Sequence, residues 1–245
     1  MYETGRLLLE PVLPPLYKQV RSRLREIIET DIKQPQLLDV GGRKSPYTIG
    51  LPARITVIDL PRTSDVQKQL NLGVTDDIIS QIQQRRSNIE KFVLGDMTRS
   101  DLPDESFDLA VAVEVLEHIE EDDLFVREVS RVIKPGGVFL MTTPNGDWLE
   151  NKNPDHKRHY RRNQLADLLN KYFDEVSVEY AIVGGRYRKL GLKSWSPQRP
   201  LQTAGSIFGN VVNAFQSADA SVKSQAANTH HLFAVARKYD NPSQK

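Results

Sequence analysis

The chain has no cysteine in its 245 residues, which excludes disulfides, thiolate-held zinc, iron–sulfur clusters and cysteine nucleophiles together. It also has almost no net charge, with 33 lysines and arginines against 32 aspartates and glutamates. No global field then favours nucleic acid or an anionic membrane, and any electrostatic argument must be local. Long apolar runs are missing too. No stretch approaches the roughly 18 residues of a spanning helix, and the N-terminal run Leu7–Leu9 stops at Glu10. Neither a signal peptide nor a membrane span is expected, and a cytoplasmic location is. What the chain does have is a 39% apolar fraction, enough at this length for one large buried α/β core.

Prolines 11, 14 and 15 interrupt the first stretch, after which Leu16, Val20, Leu24, Ile27 and Ile28 recur at helical spacing through Ile32. Runs at Leu37–Val40, Arg54–Asp59, Ile89–Leu94, Phe107–Val113 and Val138–Thr143 read as buried strands, with helices expected over 75–86, 121–133 and 163–172. Residues 41–53 hold Pro46 and Pro52, so the first crossover should be stunted. Pro135-Gly136-Gly137 is expected to end the helix before the fifth strand, and Glu175–Val183 and Leu232–Ala236 to complete the sheet. Strands alternating with helices predict a doubly wound, mostly parallel seven-stranded α/β sheet with helices on both faces. Residues 1–34 form an N-terminal extension and helix in this reading, and 35–245 the main domain. Within it, residues 184–231 are too long for an ordinary connection and read as an insertion acting as a lid, substrate or dimer element. There Ala204, Ile207, Phe208, Val211, Val212 and Phe215 share one helical face, whose expected fate is packing on the core.

Ligands of open α/β sheets bind beyond the carboxyl ends of the strands. Four successive strand ends here carry a carboxylate: Asp39 before Gly41-Gly42, Asp59, Asp96 after Gly95, and Glu114 with Glu117. Glycines permit close backbone approach, and a carboxylate about 20 residues on can accept both ribose hydroxyls. The loop Gly41-Gly42-Arg43-Lys44-Ser45 matches neither the dinucleotide fingerprint nor a P-loop. A ring of carboxylates suits a cationic nucleoside, and S-adenosylmethionine is the candidate cofactor.

The ordered combination Leu102-Pro103-Asp104-Glu105-Ser106-Phe107-Asp108-Leu109-Ala110-Val111, then Val115-Leu116-Glu117-His118-Ile119, then Val132-Ile133-Lys134-Pro135-Gly136-Gly137 resembles the Rossmann-like class I S-adenosylmethionine-dependent methyltransferases, in the branch with small-molecule and glycan O-methyltransferases. The resemblance covers about residues 35–183. It implies that Asp39, Gly41 and Gly42 contact the methionine part of the cofactor, that Asp59 holds the ribose with Leu60 beside the adenine, that Asp96 meets the adenine amino group next to Met97, and that Glu114 lies beneath the methionine end. Arg43 departs from the pattern, standing where the family usually has another glycine. The implied function is methyl transfer to a small-molecule or glycan acceptor, with a catalytically silent binding module as the alternative. A nicotinamide-dependent dehydrogenase ranks third, because the dinucleotide fingerprint is missing.

A hydroxyl acceptor must lose a proton, for which histidine is suited near neutral pH. His156 is the first choice as base and His159 the second; His118 reads as a packing residue after the fourth strand. The three-residue spacing of His156 and His159 lacks a visible third ligand, so no metal is expected. From Lys152 to Arg199 there are 11 basic residues against five acidic ones. Solvated loop charge is the ordinary account of such a run. The functional account is a carboxylated or phosphorylated acceptor bound by Arg158, Tyr160 and Arg186, with Arg161 and Arg188 as further candidates. Nucleic acid is disfavoured, and a homodimer is compatible with the insertion.

Overall fold

A computed structural model describes residues 2–31, 34–62 and 73–240. Seven strands form one sheet: β1 Gln36–Val40, β2 Arg54–Asp59, β3 Ile89–Leu94, β4 Phe107–Val113, β5 Ile133–Pro144, β6 Glu175–Val183 and β7 Thr229–Arg237. Their spatial order is 3-2-1-4-5-7-6. Strands β1 to β5 pair in parallel, and β7 runs antiparallel between β5 and β6. The helices are α1 Tyr2–Leu8, α2 Pro15–Asp31, α3 Asp76–Arg85, α4 Asp122–Val132, α5 Arg162–Leu169, α6 Arg186–Gly191 and α7 Pro200–Ser217. The expected last residue of α2, Ile32, lies outside the described residues. The doubly wound class is therefore present, and the first crossover is reduced to a single 3-10 turn at Gly42–Lys44.

Successive side chains of a strand point to opposite faces, and the two cores separate accordingly. Leu37, Leu109, Val111, Val138 and Leu140 pack with Leu16, Val20, Leu24 and Ile27 of α2. Leu38, Ala110, Ala112, Phe139 and Met141 pack with Phe125, Val126 and Val129 of α4 and Leu165 of α5. Small alanines on the second face leave room for Phe125, which is fully buried. The edge strand β3 differs from expectation, since none of its residues is buried.

Two expectations are corrected. Pro135-Gly136-Gly137 does not separate helix from strand: β5 already starts at Ile133, opposite Phe107, and the triplet forms an irregularity before Val138 pairs with Leu109. Gly136 takes φ +78° there, and a Cβ on Gly137 would meet the Asp108 carbonyl at 2.9 Å. The second correction concerns α7, whose apolar stripe faces outward. Within that stripe Phe208 and Phe215 are 57% and 77% exposed and Ile207, Val211 and Val212 only half-buried, while Ser206, Gly209, Asn210 and Asn213 are buried. The inward residues are small or polar because they meet backbone. Ser206 Oγ donates to the Gly191 carbonyl at 2.8 Å, and Asn213 Nδ2 to the Val183 carbonyl at 2.8 Å. Satisfying those carbonyls while approaching closely outweighs burial of the stripe.

A Cβ on Gly209 would lie 2.8 Å from both the Gly191 nitrogen and the Tyr187 carbonyl oxygen. Gly209→Val should therefore destabilise by about 1–3 kcal/mol through overpacking, whereas Phe215→Ser should stay within roughly 0.5 kcal/mol of the parent. Urea unfolding of both variants checks this; equal losses would contradict the inverted orientation of α7.

Candidate active site

The parallel strands bring their carboxyl ends to one edge. After β1, Gly41 takes φ +71°, and its N–H donates to the Ile58 carbonyl at 2.8 Å. A Cβ added there would sit 3.0 Å from Val115, and one on Gly42 would fall 2.2 Å from the Asp39 carboxyl carbon. Asp39 itself is fully buried and accepts hydrogen bonds from the Thr48 hydroxyl at 2.9 Å and the Tyr47 hydroxyl at 3.3 Å. This corrects its expected contact with the methionine part: the carboxyl braces the glycine loop from beneath. Burial raises its pKa to about 6, against the opposing pull of Arg86 and of the nearby Ser45, Thr48 and Tyr47 hydroxyls.

Beyond β2, Asp59 accepts from the Leu60 N–H at 2.9 Å, and the Leu60 side chain is 44% exposed. The Arg43 guanidinium donates to the Gly73 carbonyl at 2.7 Å and lies in the field of Asp59. Asp96 caps the turn after β3, its Oδ1 accepting from the Thr98 N–H at 2.9 Å and hydroxyl at 2.8 Å. Met97, expected beside the adenine, is buried in the α4-side core, while Leu60 and Asp96 are exposed.

Glu114, just past β4, adopts φ +55°, a left-handed backbone that is costly for a side-chain-bearing residue and concentrates at functional sites. Its Oε1 accepts from the Thr142 hydroxyl at 3.0 Å and lies 3.1 Å from His231 Nδ1, close enough for an ion pair but without hydrogen-bond alignment. Burial would raise the Glu114 pKa, yet His231, Thr142 and Arg188 hold it below the ordinary range. Ile182, at φ +62°, joins Glu114 in the wall of a cavity of about 850 Å³ that reaches the glycine loop at Arg43 and Ser45. Arg6, Arg43, Arg85, Arg86, Arg188 and Lys193 contribute to this wall, and Glu114 is its one acid among the described residues.

A second cluster forms on the β4–α4 side. The Lys157 N–H donates to the Glu117 carbonyl at 2.7 Å, Arg158 reaches Asp122 at 2.6 Å and the Glu120 carbonyl at 2.7 Å, and the Tyr160 hydroxyl donates to Asp122 at 2.6 Å. Arg158 and Tyr160, expected to bind substrate, instead clamp their loop to the start of α4. Arg186 is also displaced from its expected role: it stacks on Tyr187, 4.6 Å from the ring centre, outside the cavity that Arg188 lines. The clamp brings His156 beside His118, with ring centres 4.7 Å apart, and His156 Nδ1 lies 2.9 Å from His159 Nε2. Burial, followed by the charges of His118 and His159, lowers the His156 pKa. Buried Glu117 is pushed the other way by burial and by Glu114. The sequence reading missed both Glu117 and His118 as partners of His156. Their signal was adjacency, because β4 and β5 are parallel neighbours whose following loops must meet.

Comparison with known proteins bears on the domain and its fold. Residues 38–141 match the methyltransferase domain family. A probable S-adenosylmethionine-dependent methyltransferase of Mycolicibacterium smegmatis is 35% identical over 96 residues, covering 37% of this chain and 37% of that protein. The sterol 24-C-methyltransferase of Aspergillus fumigatus is 42% identical over 84 residues, covering 32% and 21% respectively. The matches thus span little more than a third of those relatives at most. Among solved structures, a Haemonchus contortus phosphoethanolamine N-methyltransferase aligns with TM-score 0.60 and 15% identity over 98% of this chain and 58% of that one, a likeness of fold. Residues 38–141 thus match a methyltransferase domain, within a fold that S-adenosylmethionine-dependent methyltransferases share. Its residues fit that family's cofactor in donor chemistry: Asp59 as an acceptor at the end of β2, apolar Leu60 beside it, Asp96 at the end of β3, and a glycine loop held open by Asp39.

The raised pKa of Asp39 has a definite sign. The protonated carboxyl favours the fold, so this contribution is complete below about pH 4 and is lost as pH rises through about 6. Asp39→Asn should gain stability relative to the parent between pH 4 and 7, by up to about 3 kcal/mol for a shift of some two units. Urea midpoints at the two pH values check this, and parallel profiles would remove Asp39 as the cause.

Proposed function

We propose that the chain transfers a methyl group from S-adenosylmethionine to an oxygen of an anionic small-molecule or glycan acceptor. The observation that carries the reading is the cavity between the glycine loop and Glu114, walled by arginines and Lys193 with a single acid. Cations in a partly desolvated wall favour a carboxylate or phosphate, and guanidinium groups do so with paired hydrogen bonds. Leu13, Leu16, Ile49 and Ile82 add apolar lining, which suits an acceptor with a hydrocarbon part. When bound, the cofactor supplies an electrophilic methyl carbon.

The protein's own work is alignment and proton handling. Asp59 and Asp96 orient the nucleoside; Gly41 and Gly42 allow backbone approach; Glu114 faces the cationic methionine end. Holding two reactants in line contributes up to about 7–11 kcal/mol in well-oriented systems. His156, braced by His159, takes part in removing the acceptor proton, and burial, followed by its neighbouring imidazoles, favours the neutral form that can accept one. The presence of this cluster beside the β4 end favours an oxygen acceptor over a carbon one.

Calorimetric titration with S-adenosylmethionine and its demethylated product, with NAD as control, tests the reading. Saturable binding of the methyl-cycle ligands alone is expected, and Asp59→Ala should weaken it about tenfold or more. Binding of NAD in their place, or of neither ligand to folded protein, would overturn the proposal in favour of a dehydrogenase or a silent binding module.

A further inference from the structure

The cluster at the β4–α4 side has a feature that a proton relay does not require. Glu117 is completely buried. One carboxylate oxygen, Oε2, accepts from the Thr143 hydroxyl at 3.1 Å, while Oε1 is shut from solvent with no hydrogen-bond partner. A buried carboxylate oxygen left unpaired is expensive. Glu117, His118 and His156 each present one ligand-type atom, and these atoms all lie within 4.8 Å of one another.

The surrounding carbonyls fix which imidazole nitrogens are available. A backbone carbonyl only accepts, so the 3.1 Å contact of His118 Nδ1 with the Asp155 carbonyl places the proton on Nδ1 and leaves Nε2 with a lone pair. The 3.2 Å contact of His159 Nδ1 with the Leu149 carbonyl does the same for His159. Its Nε2 is then an acceptor, so His156 Nδ1, 2.9 Å away, must be the donor. His156 Nε2 is left with its lone pair. Two imidazoles whose Nδ1–H groups are tied to acceptors, each keeping an Nε2 lone pair, beside a braced carboxylate, make the outer-shell pattern that orients metal ligands.

We infer that Glu117, His118 and His156 form a binding site for a divalent first-row transition-metal ion. Two nitrogen donors and one carboxylate select such ions over magnesium or calcium, which prefer all-oxygen sets. Three protein ligands leave coordination positions open for water or for an oxygen of the acceptor. The site deepens the proposed function and its catalytic consequence rests on that reading: with the ion bound, the His156 Nε2 lone pair ligates it in place of accepting a proton, and an acceptor hydroxyl held on the ion loses its proton to water more readily than a free one. His159 is then a positioning residue, holding His156 in the ligating tautomer.

The test is a spectroscopic titration of the chelator-treated full chain with cobalt(II), together with calorimetry using zinc and magnesium. One equivalent of cobalt or zinc should bind, in clear preference to magnesium. Exposed His118→Ala and half-buried His156→Ala should abolish that equivalent without unfolding the chain, and His159→Phe should weaken it by about tenfold or more. His230→Ala should leave it unchanged. Absence of a saturable equivalent overturns the inference, as does binding that survives both ligand variants or disappears in His230→Ala. Titration of the same preparation with the demethylated cofactor separates the two proposals. Metal binding without cofactor binding leaves the site standing and removes the methyl-transfer reading, whereas the reverse removes only the site.

Discussion

Parallel pairing of five consecutive strands is the constraint from which the site follows. Because β1 to β5 run the same way in the order 3-2-1-4-5, every loop that leaves a carboxyl end emerges at one edge of the sheet. Residues distant in sequence, Asp39, Asp59, Asp96, Glu114 and Asn145, are thereby gathered along a single rim. The pairing depends in turn on burial of both faces, which the alternation of Leu37 with Leu38 and of Val111 with Ala112 provides. A register slip of one residue would exchange those faces and move each rim carboxylate with its strand.

Asp122 is the second organising point. One carboxylate oxygen receives both the Arg158 guanidinium and the Tyr160 hydroxyl, tying the loop after β5 to the first turn of α4. An acid in the first turn also suits the helix dipole. The contact is built from residues that look like substrate binders in sequence: a basic, aromatic loop after a strand. Its effect is one step removed from chemistry, since it sets where His156 meets His118 and Glu117.

Much of the scaffold was legible because its signals are local. The strands read as apolar runs, glycines and prolines punctuate them, and β2, β3, β4 and β6 carry the expected bounds. The rim carboxylates were legible for the same reason. What escaped were relations between segments. The apolar stripe of α7 gave no sign that Ser206, Asn210 and Asn213 would be used to satisfy backbone carbonyls, so periodicity alone assigned the wrong face to the core. The irregularity at Pro135-Gly136-Gly137 follows from pairing with β4, a partner that the triplet itself does not specify. Arg186 and Arg188 were alternatives in the sequence, two residues apart, and only the fold of α6 decides that Arg188 is the one that lines the cavity. The burial that separates Asp39 from solvent likewise depends on Tyr47 and Thr48 folding back over it.

Glu114 joins the halves of the site. On one side it meets His231 and the cavity of cations; on the other its charge acts on Glu117, three residues along the same loop. Its left-handed backbone turns the chain sharply enough after β4 to direct Glu114 toward His231 and Glu117 toward Thr143. The strain is maintained because the loop is anchored at and after this residue: the Glu114 N–H donates to the Thr142 carbonyl at 3.1 Å, and Leu116 is fully buried. A conformation that costs free energy at one residue thus lets one short loop serve the cavity and the imidazole cluster together.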